Sequence, residues 1–222
     1  MSDGFRVENR EERMSQINII TGGGWLMIPI FACSLISVSL ILERFFGLHR
    51  ARAYSEDLMD NLREILKHNR ISEAINLCEE TGGPLAFILK AGLLRHRRPR
   101  PEIREAIEDA GLLVIPSLER YLSVLATIAN VAPLLGLLGT VVGMTEAFMV
   151  IQTHGGAVTP GDLAGGIGTA LLTTVWGLIV GIPTLVAYNY FVTQVDKMVW
   201  EMEILSSELL DILSEKESDH AV

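Results

Sequence analysis

The sequence predicts an all-α integral membrane protein with three transmembrane helices and long helices extending into the cytoplasm. The first observation is composition. The 222 residues are 49% hydrophobic and only 20% charged, with a mean hydropathy of +0.35, a balance too apolar for an ordinary soluble domain. The second is the presence of three long stretches without Asp, Glu, Lys or Arg, at residues 25–42, 122–145 and 163–195. A helix needs about 20 apolar residues to cross the hydrocarbon core. The third is that no segment carries the strict alternation of a half-buried strand.

The elements follow in order. Residues 1–20 form an N-terminal segment, and residues 21–42 the first span. Glu8, Glu11 and Glu12 stand beside Arg6, Arg10 and Arg13, and no small-residue cleavage site follows the apolar run. A signal peptide would have a basic start and a short core, so the first span is expected to stay uncleaved.

Residues 43–121 form a helical region rather than a linker. Leu58, Leu62, Ile65 and Leu66 recur at helical spacing. Ser72 is placed to cap a short helix carrying Ala74, Ile75 and Cys78. Gly82, Gly83 and Pro84 break that helix, and another runs over residues 85–95. After the basic turn 97–101, Pro101 suits a first helical turn, with Glu102 and Glu105 near its positive end. The stripe Ile103, Ile107, Ala110 and Val114 flows into the second span without a Gly-Pro turn. One helix over 102–151, about 75 Å long, is expected, bent at Pro116 and Pro133. The second span covers 122–151, a short connection 152–162, and the third span 163–195. Residues 196–222 form a C-terminal helix that continues through Trp200 to about Leu213, then a charged, fraying tail.

Charge orients these elements. The 43–121 region holds 13 of the 18 Lys and Arg, balanced by 13 acidic residues, and the 152–162 connection has none. Positive charge favours the cytoplasmic side. The large region is therefore expected in the cytoplasm of a bacterial cell, with the connection and the N-terminus periplasmic and the C-terminus cytoplasmic.

Several functions are disfavoured. A net charge of -9 argues against nucleic acid. Cys33 and Cys78 fall in unlike surroundings and make neither a disulfide nor a metal site. The five histidines are scattered, and no nucleophile–base pair is visible, so neither an enzyme nor a cofactor is expected.

The second and third spans carry the most information. Pro133, Gly136, Gly139 and Gly143 punctuate the second. Gly136, Thr140, Gly143 and Ala147 share one of its faces, and Ala170, Thr174, Gly177 and Gly181 share a face of the third, which also holds Pro183. Small residues let membrane helices approach closely, and threonines can bond across the contact. The bland reading of each threonine is packing, because its hydroxyl can satisfy a carbonyl of its own helix. None of the three uncharged runs offers a proton carrier. Glu146 lies near the outer end of the second span, either facing water at a mouth or meeting a partner. It is six residues from Thr140, about 240° around a helix, so the two do not share a face. A buried carboxylate would have to come from a partner helix.

The stretches Ala132-Pro-Leu-Leu-Gly-Leu-Leu-Gly-Thr-Val-Val-Gly-Met with Ala147-Phe148, Ala170-Leu-Leu-Thr-Thr with Gly177-Leu and Ile182-Pro183, and the pair Tyr188-Asn189 resemble the MotA/TolQ/ExbB proton channel family, most closely its ExbB and TolQ branch. The resemblance covers roughly residues 25–210. It implies a pentamer around a central pore in the inner membrane. That pore would hold the single-span helices of an ExbD/TolR-like partner, whose aspartate carries the proton, with a TonB-like or TolA-like transducer and membrane lipid as further partners. Thr140 and Thr174 match the family's pore threonines. Thr169 stands where ExbB members often carry a glutamate, and Thr169, Thr173 and Glu146 are further candidates for pore or partner contact.

Three functions stay open at this stage. One is a proton-driven energiser of outer-membrane transport through a TonB-type system. The second is a TolQ-like subunit for envelope integrity, and the third a non-conducting membrane scaffold.

Overall fold

The computed structural model describes residues 24–153 and 159–220. The N-terminal segment and the middle of the 152–162 connection lie outside the described residues. Among the described residues the architecture is all-helical: α1 Met27–Lys67, α2 Ile71–Thr81, α3 Gly83–Leu94, α4 Arg100–Leu118, α5 Leu122–Thr153 and α6 Pro160–His220. Three of the helical stretches are long and apolar enough to cross a membrane.

Helix α1 begins after a turn at Gly24, whose carbonyl accepts from the Met27 amide at 3.2 Å. It runs unbroken for 41 residues, because the charged stretch after the apolar run contains no proline and one glycine, Gly47. Its end is set by Asn69, which takes a left-handed φ of 59°, a conformation that asparagine tolerates better than most residues. That turn starts α2 at Ile71. Ser72 therefore lies inside the first turn and does not cap it. Arg70 occupies the cap position, with no side-chain hydrogen bond to the helix. Gly82 and Gly83 carry positive φ, and Pro84 sits in the first turn of α3, as the Gly-Gly-Pro break requires. Pro101 and Glu102 occupy the first turn of α4.

The continuous helix expected over 102–151 is broken. Pro116 lies inside α4, which ends at Leu118, and Tyr121 adopts φ 67°. For a non-glycine residue this costs roughly 1–2 kcal/mol, so the surroundings must hold it. Arg44 donates through Nη1 to the Leu118 carbonyl at 3.3 Å, satisfying an orphan acceptor at the helix end. The Tyr121 ring lies under two guanidiniums, 5.4 Å from Arg44 and 4.5 Å from Arg120. A second correction concerns the C-terminus. The backbone of α6 stays helical to His220, because no glycine or proline follows Pro183 to stop it.

The helices divide into two compact units. One comprises residues up to Ile41 with Val124–Tyr188. Its core is Ile30, Ile128, Ala132 and Val180, flanked by Cys33, Leu135 and Trp176, with the Phe31 and Trp176 rings 5.5 Å apart. The other comprises Leu42–Ser123 with the chain from Asn189 onward. It buries Leu62, Leu66, Leu89, Leu93 and Leu209 completely. Gly92 admits Ile107 there: a Cβ at Gly92 would stand 2.9 Å from Ile107 Cδ1.

Ion pairs tie the tail of α6 into this second unit. Arg63 bonds both carboxylate oxygens of Glu208, at 2.6 and 2.7 Å, and Arg100 pairs with Asp211. The hydrogen bond from Arg63 holds the Glu208 carboxyl below its ordinary pKa. A depressed carboxylate stabilises above the unfolded pKa and loses that contribution as pH falls through the folded value. Both side chains are partly exposed, so screening keeps the effect modest. Arg63→Gln should lower the thermal midpoint at neutral pH, and the difference should be smaller at about pH 3, below the ordinary carboxylate pKa. Melting curves of both proteins in detergent check this, and a constant gap at both pH values would count against it.

Candidate functional site

In the first unit, α5 and α6 pack along a seam of small residues. A Cβ on Gly136 would stand 2.9 Å from both the Thr173 carbonyl oxygen and Thr174 Cα. On Gly139 it would meet Thr173 Cβ at 2.5 Å, and on Gly143 the Gly166 carbonyl oxygen at 2.7 Å and Ala170 Cβ at 2.8 Å. The opposite side is as tight. A Cβ on Gly177 would lie 2.6 Å from the Ala132 carbonyl oxygen, and one on Gly181 would lie 2.5 Å from Pro133 Cγ. The backbones touch because these side chains are absent, which is how small residues drive association of membrane helices. Gly136, Gly139, Gly143, Gly177, Gly181 and Pro133 thus meet on one seam, whereas Pro183 is exposed.

The threonines divide by what their hydroxyls do. Thr174 donates across the seam to the Gly136 carbonyl at 2.9 Å. Thr140, half-buried and one turn further along α5, donates to Leu137 of its own helix at 2.6 Å. Thr173 is buried, donates to Ala170 at 2.8 Å, and fills the space beside Gly139. Thr169 is half-buried, with its methyl group near Gly24. Glu146 is exposed, whereas its neighbour Ala147 is buried, so the two side chains leave α5 on different sides.

Two consequences follow. The seam is lined by glycine, alanine, threonine and proline, so it supplies no acid or base. The hydroxyl hydrogens of Thr140 and Thr174 are committed to backbone carbonyls, which leaves oxygen lone pairs available. A hydroxyl in that state accepts a hydrogen bond from water or from a protonated carboxylic acid. No cluster of His, Cys, Asp or Glu with metal-binding potential occurs among the described residues.

Sequence reasoning missed Gly166, which faces Gly143 and Ala147. Its signal was present, since it lies one turn before Ala170. It also missed Thr184, fully buried and donating to the Val180 carbonyl at 2.7 Å. One threonine among many in an apolar run carries no mark of which will be buried.

Comparison with known proteins yields a match to the MotA/TolQ/ExbB proton channel family over residues 80–204. The chain is similar to "Putative biopolymer transport protein ExbB-like 3" of Synechocystis sp., 32% identical over 170 residues covering 76% of this chain and 81% of the relative. It is similar to "Biopolymer transport protein exbB1" of Vibrio cholerae, 28% identical over 81% of this chain and 80% of that one. A third relative, "Biopolymer transport protein ExbB" of Neisseria meningitidis, is 26% identical over 90% of this chain and 98% of its own.

Proposed function

Because the chain belongs to the MotA/TolQ/ExbB proton channel family, we propose that it is the pore-forming subunit of a proton-driven inner-membrane motor that energises outer-membrane transport through a TonB-type system. The chain is a multi-pass membrane protein and not an enzyme. The observation that carries the proposal is the α5–α6 seam, which presents threonine oxygens in an apolar wall and no ionisable group. Such a wall guides a proton carrier without being one. The carrier is an aspartate on a single-span ExbD-like partner, and five copies of this chain enclose it. The names of the relatives favour the TonB-type reading over the TolQ-like one.

The cycle is electrostatic. An ionised carboxylate in an apolar wall is very costly, and protonation removes most of that cost. Protonation from one side and release to the other moves one charge per cycle. A membrane potential contributes about 2.3 kcal/mol per charge per 100 mV. Proton flux into liposomes under imposed voltage tests the reading. This chain reconstituted with its partner should conduct, and this chain alone should not. Absence of flux from the intact complex would favour the scaffold reading.

The orientation proposed is N-terminus periplasmic and C-terminus cytoplasmic, on the charge distribution of the connections. In intact cells, an impermeant thiol reagent should label a single cysteine placed at position 156 and leave one at position 96 protected. The reverse pattern would invert the topology. Glu146 faces away from the seam, so Glu146→Gln should keep the oligomer and reduce flux only partly. Complete loss of flux with assembly intact would place this carboxylate on the path itself.

A further inference from the structure

The geometry points to a binding site for the headgroup of an anionic phospholipid, formed by Arg44 and Arg120 around the Tyr121 ring. Both guanidiniums lie over one ring, at 5.4 and 4.5 Å from its centroid. That brings the two cations within about one Debye length, ~10 Å at 0.1 M salt. Neither forms an ion pair with a carboxylate among the described residues, although the Glu43 carboxylate acts on Arg44 electrostatically. Arg44 is also buried, with 9% of its surface exposed. One Nη donates to the Leu118 carbonyl, and Nε has no partner. Buried charge is ordinarily paired, because desolvation is otherwise uncompensated. Two like charges sharing one aromatic ring therefore call for an anion, and Arg120, which is exposed, presents a guanidinium from which to hold it.

Position in the chain says which anion. Arg44 stands two residues after the first uncharged run ends at Leu42, and Tyr121 directly precedes the second run at Leu122. Both cations thus belong to the level where the apolar spans meet water, which is the level of lipid phosphates. Phe45 and Phe46, 51% and 69% exposed, follow Arg44 and offer apolar surface for the adjoining acyl chains. A free phosphate ion would use the guanidiniums but gain nothing from the phenylalanines. This inference needs the spans to be in a membrane but not the chain to conduct protons.

The test uses the full chain purified in detergent and supplied with phosphatidylglycerol, phosphatidylcholine or inorganic phosphate, with retained lipid counted by native mass spectrometry. Phosphatidylglycerol should be retained in preference to phosphatidylcholine by about fivefold for each engaged guanidinium. Arg120→Gln should remove most of that preference, and Arg120→Glu should reverse it. Arg120 is exposed, so neither change disturbs the core. Equal retention of the two lipids by the wild-type chain would overturn the site. So would an unchanged preference in both variants. Displacement of bound phosphatidylglycerol by an equal concentration of inorganic phosphate would overturn the lipid assignment in favour of a free anion.

Discussion

Gly139→Leu is expected to abolish the assembled oligomer, whereas Leu138→Ala leaves it largely intact. The first β-carbon alone would stand 2.5 Å from Thr173 Cβ, a separation that real side chains do not tolerate. Turning Thr173 about χ1 does not relieve this, because its Cβ is fixed by the backbone, and the residue is 1% exposed. The strain must therefore be relieved by separating α5 from α6. That separation would also break the Thr174–Gly136 hydrogen bond and the contacts of Gly136, Gly143, Gly177 and Gly181 along the same seam. Overpacking a well-fitted contact ordinarily costs about 1–3 kcal/mol, and a leucine facing opposed backbone lies at or beyond the upper end. Leu138 is 44% exposed and does not face the seam. Native mass measurement of the purified variants checks this, and equal oligomer yield from the two would refute the packing account. The swap Gly139→Ala with Thr173→Gly moves the β-carbon from one helix to the other. It should recover much of the assembly, less about 1 kcal/mol for a glycine inside a helix.

Thr140→Val and Thr174→Val should each reduce proton flux through the reconstituted complex by about tenfold, the equivalent of roughly 1.4 kcal/mol for one lost hydrogen bond in the transfer step. Valine keeps the shape and removes only the oxygen. In each wild-type threonine the hydroxyl hydrogen is held by a carbonyl, Leu137 for Thr140 and Gly136 for Thr174. What remains is an acceptor, which favours the protonated form of a passing carboxylic acid over its anion. The two variants should differ in stability. Thr174→Val loses a bond between helices, worth about 0.6 kcal/mol in membrane proteins. Thr140→Val loses only a bond within α5. Thr145, exposed and bonded to Val141 of its own helix at 2.8 Å, supplies the control: Thr145→Val should leave flux unchanged. Wild-type flux in the Thr140→Val, Thr174→Val double variant would remove both residues from the path.

The membrane class and the small-residue seam were legible in the sequence because each follows from local chemistry. An uncharged run either spans a bilayer or must be buried, and it does so whatever its neighbours are. Glycines and threonines three and four residues apart fall on one helix face by the geometry of the helix alone. Helices α2 and α3 were legible for a similar reason, since Gly82, Gly83 and Pro84 punctuate the chain where they stand.

What sequence could not supply was every feature settled by a residue distant along the chain. The break between α4 and α5 has no glycine, and Pro116 lies three residues before it. It occurs because Arg44, 74 residues earlier, takes the Leu118 carbonyl and shares the Tyr121 ring with Arg120. Ser72 has the chemistry of a cap, but Asn69 turns the chain first and leaves the serine inside the helix. Thr173 and Thr174 are neighbours of identical type, yet one is buried against Gly139 and the other bonds to Gly136. Successive residues point about 100° apart around a helix, so periodicity separates the two threonines but does not say which of them meets Gly139 on the other helix. That division was decided by the angle and depth at which α5 meets α6, which is a property of the packed pair and of neither helix alone.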